Sequence, residues 1–320
     1  MVFIFILELC YSKSMKTLLT LSLVPLLLSC TLPQRDYQEK NVPIRARKSN
    51  EPMKRVFVLP FIDGTNQKSK VTIDGARRVF ISELLRTGEY VILRNSDFPK
   101  DFETFKKATE GSTEYDLEKV SELSQGQGVN GVIEAQILEV RTKRVGDDVG
   151  IMRKIKAIVE AKVRVRAFAV ESRREIFNEI RTATVEATTT RFAERGYSNL
   201  DLEDDPVLVN QVVQKAFEGL VPPLTVAMRK LSWSGRIAMV RGEKIYINAG
   251  RVSGLQVGDL LKVLDPGQDV FDPQTGTFVG RAEGRMKGTV EIVSYFGKDG
   301  AIGVVHSGAD FRENDKVELY

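Results

Sequence analysis

The chain has 320 residues, 42% of them hydrophobic and 28% charged, with a formal net charge of +4. That mixture excludes a disordered, collagenous or polytopic membrane chain. The scarce residues exclude more: one histidine, His306, and two cysteines, Cys10 and Cys30. They leave almost no room for a zinc or haem site, a disulfide framework or histidine-assisted nucleophilic catalysis. The composition points to a non-enzymatic chain without metal or cofactor, and its length to about two domains.

Residues 1–29 read as a signal peptide. Lys13 and Lys16 precede the apolar run from Leu18 to Leu28, which is too short to span a bilayer. Met15 is the expected start, because Met15-Lys16 opens a compact signal. Leu27-Leu28-Ser29-Cys30 resembles the bacterial lipobox, in which the cysteine is acylated and becomes the mature N-terminus. Cys30 is therefore the expected lipidation site. Thr31 follows it where an aspartate would resemble an inner-membrane retention signal, so the expected location is the periplasmic face of an outer membrane. Removal of residues 1–29 takes away Lys13, Lys16 and Glu8, leaving 291 residues, a net charge of +3 and one cysteine. Residues 30–53 carry that cysteine and a polar tether with Pro33, Pro43 and Pro52. Fully extended, such a tether reaches about 75 Å.

Residues 54–231 predict an α/β domain, giving an α+β fold with a β-α-β-type mixed sheet. Arg55–Phe61 is a short buried strand stopped by Pro60 and Asp63-Gly64. A helix follows from a Thr72 cap to Thr87, with Ile73, Ala76, Phe80 and Leu84 inward and Gly88 as its stop. Tyr90–Arg94 is the next strand. A loop rich in Asp, Phe and Lys leads to a helix from Asp116, with Leu117, Val120 and Leu123 inward. Gly131–Val140 is the third strand, and Arg141–Ile151 reads as charged and turn-like.

Residues 154–170 alternate with period two. Ile155, Ala157, Val159, Ala161, Val163, Val165 and Ala167 face one side. Lys154, Lys156, Glu160, Lys162, Arg164 and Arg166 face the other. Ile176–Thr190 pairs with this strand as a hairpin around Glu171–Arg174. Asp204-Asp205-Pro206 caps a helix carrying Val209, Val212, Val213, Ala216, Phe217 and Leu220 inward, which Pro222-Pro223 ends or kinks.

Val58-Leu59-Pro60-Phe61, Phe80–Leu85, Tyr90-Val91-Ile92 and Gly128–Ala135 together resemble the α/β domain of the curli-secretion (CsgG-type) lipoproteins. They also resemble the amino-terminal domain of the TolB translocation protein and the middle domain of flagellar assembly protein T. The resemblance covers 54–230 and lies in pattern more than in invariant motifs.

Residues 232–320 are dense in glycine and short strands, which predicts a small barrel. Ile245-Tyr246-Ile247-Asn248-Ala249-Gly250, Gly254–Asp259 and the Asp272–Gly276 hairpin resemble the carboxy-terminal SH3-like domain of flagellar assembly protein T. On this resemblance, the tether is expected to stand where that family usually has an amino-terminal domain.

Four patterns could carry chemistry. Gly126-Gln127-Gly128-Val129-Asn130-Gly131 matches a dinucleotide fingerprint in letters, but a helix precedes it and a strand follows, which favours a helix stop and turn. Asp201, Glu203, Asp204 and Asp205 lack the spacing of a calcium loop. His306 has no acidic partner at a telling spacing. The row Lys154, Lys156, Lys162, Arg164 and Arg166 is either a solvated strand face or a surface for an anionic glycan, lipid headgroup or acidic protein. Nucleic acid is not expected outside the cytoplasm.

The resemblances imply a lipoprotein, anchored to the membrane by Cys30, that binds envelope proteins as an assembly or scaffold component, with the flagellar basal-body ring as first machine. A homo-oligomeric ring forming a curli-type secretion channel is an alternative, turning on whether 141–151 and 180–192 form membrane hairpins. An activator of peptidoglycan synthesis is another.

Overall fold

In the computed structural model, Lys54-Arg55-Val56-Phe57-Val58 forms strand β1, and its three hydrophobic side chains are fully buried. A strand apolar on both faces needs cover on both, and the chain supplies it. The structure describes residues 51–65, 72–94, 102–109, 112–146, 152–192 and 205–320. Cys30, the signal and most of the tether lie outside them.

Strand β2 is Ile62–Asp63 and helix α1 is Ile73–Thr87. Ala76, Phe80 and Leu84 are buried on one face of α1, and Gly88 closes it in the left-handed conformation at φ 74°. Thr72 stands at the cap position, but its side chain makes no capping bond; its backbone N–H donates to Asn210 Oδ1 instead. Strand β3, Tyr90–Leu93, runs parallel to β1. The segment expected as a loop holds a 3-10 turn at Phe102–Phe105 and a hairpin of β4, Lys106–Thr109, with β5, Ser112–Tyr115. Helix α2, Leu117–Gln125, follows from an Asp116 cap. It buries Leu117 and Val120 as expected, with Ser121 and Ser124 in place of the partly buried Leu123.

Strand β6, Gly131–Gly146, is parallel to β1 and β2. It runs six residues beyond the expected end, so 141–146 is strand rather than turn; 147–151 lie outside the described residues. Strands β7, Met152–Ala169, and β8, Arg174–Phe192, complete an antiparallel run of 16, 18 and 19 residues. The sheet order is β3-β1-β6-β7-β8, with β2 on β6. The alternation read in β7 holds: Ala157, Val159, Ala161, Val163, Val165 and Ala167 are each 0% exposed.

Helix α3, Pro206–Glu218, starts at Asp205, whose carboxylate accepts the Val207 N–H at 2.8 Å. It ends at Gly219. Pro222 and Pro223 then stand in the first turn of a separate helix α4, Val221–Arg229. They start that helix rather than end α3, because proline lacks only an N–H that the first turn leaves unbonded anyway. The sheet thus has two cores. One lies beneath α1, α3 and α4, where Phe61, Phe80 and Phe217 pack ring against ring. The other, with Phe57, Leu59 and Val132, lies beneath α2 and the β4–β5 hairpin.

From Gly235 the chain forms a closed six-stranded barrel. Its strands are β9, Gly235–Arg241; β10, Lys244–Ile247; β11, Leu260–Leu264; β14, Met286–Phe296; β15, Gly300–Gly308; and β16, Lys316–Leu319. Trp233, Ile245, Leu261, Val290 and Ile292 fill it. Strands β12, Gln268–Phe271, and β13, Phe278–Ala282, form a side hairpin around the expected Asp272–Gly276 turn. Sheet and barrel belong to one compact unit, 47–320. No helix among the described residues is long and apolar enough to cross a membrane.

Candidate functional site

Period two puts Lys154, Lys156, Lys162, Arg164 and Arg166 on the face of β7 that points away from α3. What each meets there depends on what the chain lays above it. Opposite Arg164 and Arg166 in register stand Gln136 and Glu134 of β6, and β5 brings Glu114 over both. Arg164 Nη2 donates to Glu114 Oε1 at 2.5 Å and to Gln136 Oε1 at 2.7 Å. Arg166 clasps Glu134 through Nε at 2.9 Å and Nη2 at 3.2 Å, and lies 3.2 Å from Glu114 and 3.8 Å from Glu175. Glu134 is 1% exposed and also accepts the Tyr115 N–H at 2.7 Å. These two arginines therefore fasten the β4–β5 hairpin to the sheet.

The other half of the row is open. Lys156 reaches Glu186 of β8 at 2.6 Å with both side chains near half exposed. Lys162 is exposed and is in no ion pair among the described residues. Lys154 lies opposite Thr190 in the β7–β8 register, and its side chain is outside the described ones. As a surface for an anionic partner, the row offers Lys156 and Lys162, not five free cations.

The glycine string lies at the junction of sheet and barrel. Gly128 has φ 66°, and a Cβ there would stand 2.3 Å from Asn248 Nδ2 of the barrel; one at Gly131 would stand 2.6 Å from Met228 Cε. Two buried or half-buried asparagines stitch this junction. Asn130 exchanges hydrogen bonds with the Arg55 backbone at 2.7 and 2.8 Å, and its Nδ2 donates to Ser234 O and Oγ at 3.1 Å. Asn248 accepts the Arg236 N–H at 2.9 Å, donates to Gln127 O, and offers its own carbonyl to the Arg55 guanidinium. An amide side chain suits such a seam because it donates and accepts at once. The Met53 N–H adds a bond to Ser253 O at 2.7 Å.

Asp205 caps α3 as described, while Asp201, Glu203 and Asp204 lie outside the described residues. His306 is exposed on β15. The residues missed by sequence reading are Glu114, Glu134 and Gln136 in the clasp, and Asn130, Asn248 and Arg236 at the seam. Glu134 and Gln136 had a signal, because two polar residues spaced by two interrupt an apolar strand. Glu114 had none, since nothing local says that its hairpin folds back.

No protein-family model matches the chain, and no curated protein matches it. Among solved structures, a hypothetical protein from Chlamydia trachomatis is similar over 55% of this chain and 98% of its own, at 16% identity and a TM-score of 0.34. Lipoprotein GNA1162 from Neisseria meningitidis covers 54% of this chain and 99% of its own, at 12% identity and a TM-score of 0.28. A single-substitution variant of the PelC dodecamer from Paraburkholderia phytofirmans covers 54% of this chain and 89% of its own, at 13% identity and a TM-score of 0.26. Likenesses this loose carry no conclusion about what this chain does.

Proposed function

We propose that the protein is a non-enzymatic lipoprotein of the bacterial envelope, held by Cys30 at the periplasmic face of the outer membrane, where it scaffolds other envelope proteins. The observation that carries the reading is Leu27-Leu28-Ser29-Cys30 at the end of an apolar run that follows a basic start. The seam supports it physically. A barrel stitched to a sheet by Asn130 and Asn248 keeps two surfaces in one fixed geometry, which is what an assembly component requires. The six-stranded barrel is read more finely as SH3-like, and the flagellar basal-body ring is the first machine to test, both on the sequence resemblance alone.

A curli-type channel is the second reading. Strands β6 to β8 are long enough to favour it, since a membrane strand needs about 10 residues. Against it, the outward face of their far half carries Arg141, Lys143, Lys156, Glu160, Lys162 and Glu186, where a lipid-facing strand would be apolar. Activation of a peptidoglycan synthase through one protein contact is a third form of the scaffold reading.

Purification of the lipidated protein from membranes, with identification of co-purifying proteins and bilayer conductance, separates these. Recovery of flagellar ring or synthase components supports the scaffold. Rings that conduct ions overturn it in favour of the channel. A Cys30→Ser variant should move to the soluble fraction; its retention in the membrane would remove the anchor.

A further inference from the structure

Beside the seam, a cavity of about 30 Å³ lies between sheet and barrel, lined among others by Gln125, Gly128, Ser234, Arg236, Arg281 and Lys316. It has space for about two waters or one small anion. Its charges do not balance. Arg281 Nη1 donates to Gln125 Oε1 at 2.7 Å and lies 3.6 Å from Asp269, which Arg173 also holds at 2.8 Å. Lys316 pairs with Glu171 and Glu318. Those three cations already share all three carboxylates.

Arg236 is the fourth cation. Its Nε donates to Gln125 O, the last carbonyl of α2, at 2.7 Å, and its Nη1 to Asn314 O at 2.8 Å. Both acceptors are neutral. Among the described residues no carboxylate stands within ion-pair distance of it, and Glu171 acts on it only from farther away. A half-buried guanidinium left without a counter-charge costs free energy, and a second guanidinium nearby raises that cost. Burial first, and Arg281 next, pull the Arg236 pKa down, with Glu171 opposing.

We propose that this cavity binds a small anion, an inorganic oxyanion or a carboxylate, which bridges Arg236 and Arg281 and locks the barrel to the end of α2. Guanidinium forks suit such ligands because two parallel N–H groups match two oxygens. The proposal does not depend on the lipoprotein reading, since it concerns the folded unit alone.

Calorimetric titration of the purified protein with inorganic phosphate, and separately with acetate, tests it in a chloride-free zwitterionic buffer. Saturable one-site binding of at least one anion is expected. Phosphate alone assigns the site to an oxyanion, and acetate alone to a carboxylate. Arg281→Gln should weaken binding about ten-fold, the loss expected for one charge-assisted contact. Arg281→Lys, which keeps the charge beside Asp269, should weaken it less and guards against a variant that fails to fold. Lys244→Gln, at an exposed position of β10 outside the cavity lining, should bind as the parent does. Absence of saturable binding by both anions, or equal affinity in the parent and both Arg281 variants, would overturn the proposal.

Discussion

Two halves of one strand face behave differently. Arg164 and Arg166 lie under the β4–β5 hairpin with Glu114, Glu134 and Gln136 packed against them. Lys156 and Lys162, on the same face of the same strand, stand in water. The alternating pattern that places these side chains is identical in both halves. The outcome is set by what folds over them, and the residue types follow suit. The covered half uses arginine, whose rigid fork can hold two acceptors at once. The open half uses lysine, a compact and strongly hydrated charge.

The largest expected effect comes from breaking the covered clasp. Arg166→Ala leaves Glu134, 1% exposed, as a buried carboxylate without its cation. The cost should be about 3–5 kcal/mol by denaturant unfolding. Lys162→Ala on the open half should stay within about 0.5 kcal/mol. Equal effects from the two variants would erase the distinction between the halves.

The open half was legible in the sequence because strand period and solvent contact are local properties. The alternation in β7, the α1 face at Ala76, Phe80 and Leu84, and the Asp205 cap were readable for the same reason. The cover was not. Its hairpin, 106–115, lies about 50 residues before the arginines it meets, and its strands are four residues each, too short for a period to show. The seam was legible only as spacing. Gly128 and Gly131 were visible as a motif, yet their partners Asn248 and Met228 come about 100 residues later. Pro222-Pro223 failed differently. Proline both ends and begins helices, and which applies depends on the break at Gly219, where the α3 run stops.

A smaller effect tests how the cover is held at its rim. Asp116 caps α2 and lies 2.6 Å from Lys107 of β4. Burial pushes its carboxyl upward, but bonds from the Lys107 side chain and the Lys119 backbone outweigh this and hold it below the usual range. A carboxyl lowered in the folded state contributes stability above its unfolded pKa, about 4, and loses it as pH falls through the folded value. Asp116→Asn keeps a capping oxygen but removes the charge. It should cost about 1 kcal/mol at neutral pH and flatten the acid limb of the stability curve. An unchanged acid limb would remove Asp116 from the fastening of the cover.

The smallest effect belongs to the Lys156–Glu186 pair across β7 and β8. Its 2.6 Å separation matches the short contacts of the clasp, so distance alone would rank the two alike. Exposure separates them: the side chains are 42% and 53% exposed here, against 14% and 1% for Arg166 and Glu134. Water screens the exposed charges, and ordering two long side chains costs entropy that the pair must first offset. A double-mutant cycle with Lys156→Ala and Glu186→Ala should give a coupling of about 0–1 kcal/mol that falls with added salt. The coupling between Arg166 and Glu134 should be several-fold larger and far less sensitive to salt, because little water reaches it. Equal salt sensitivity in the two cycles would show that the hairpin does not exclude solvent, and that both halves of the face are open.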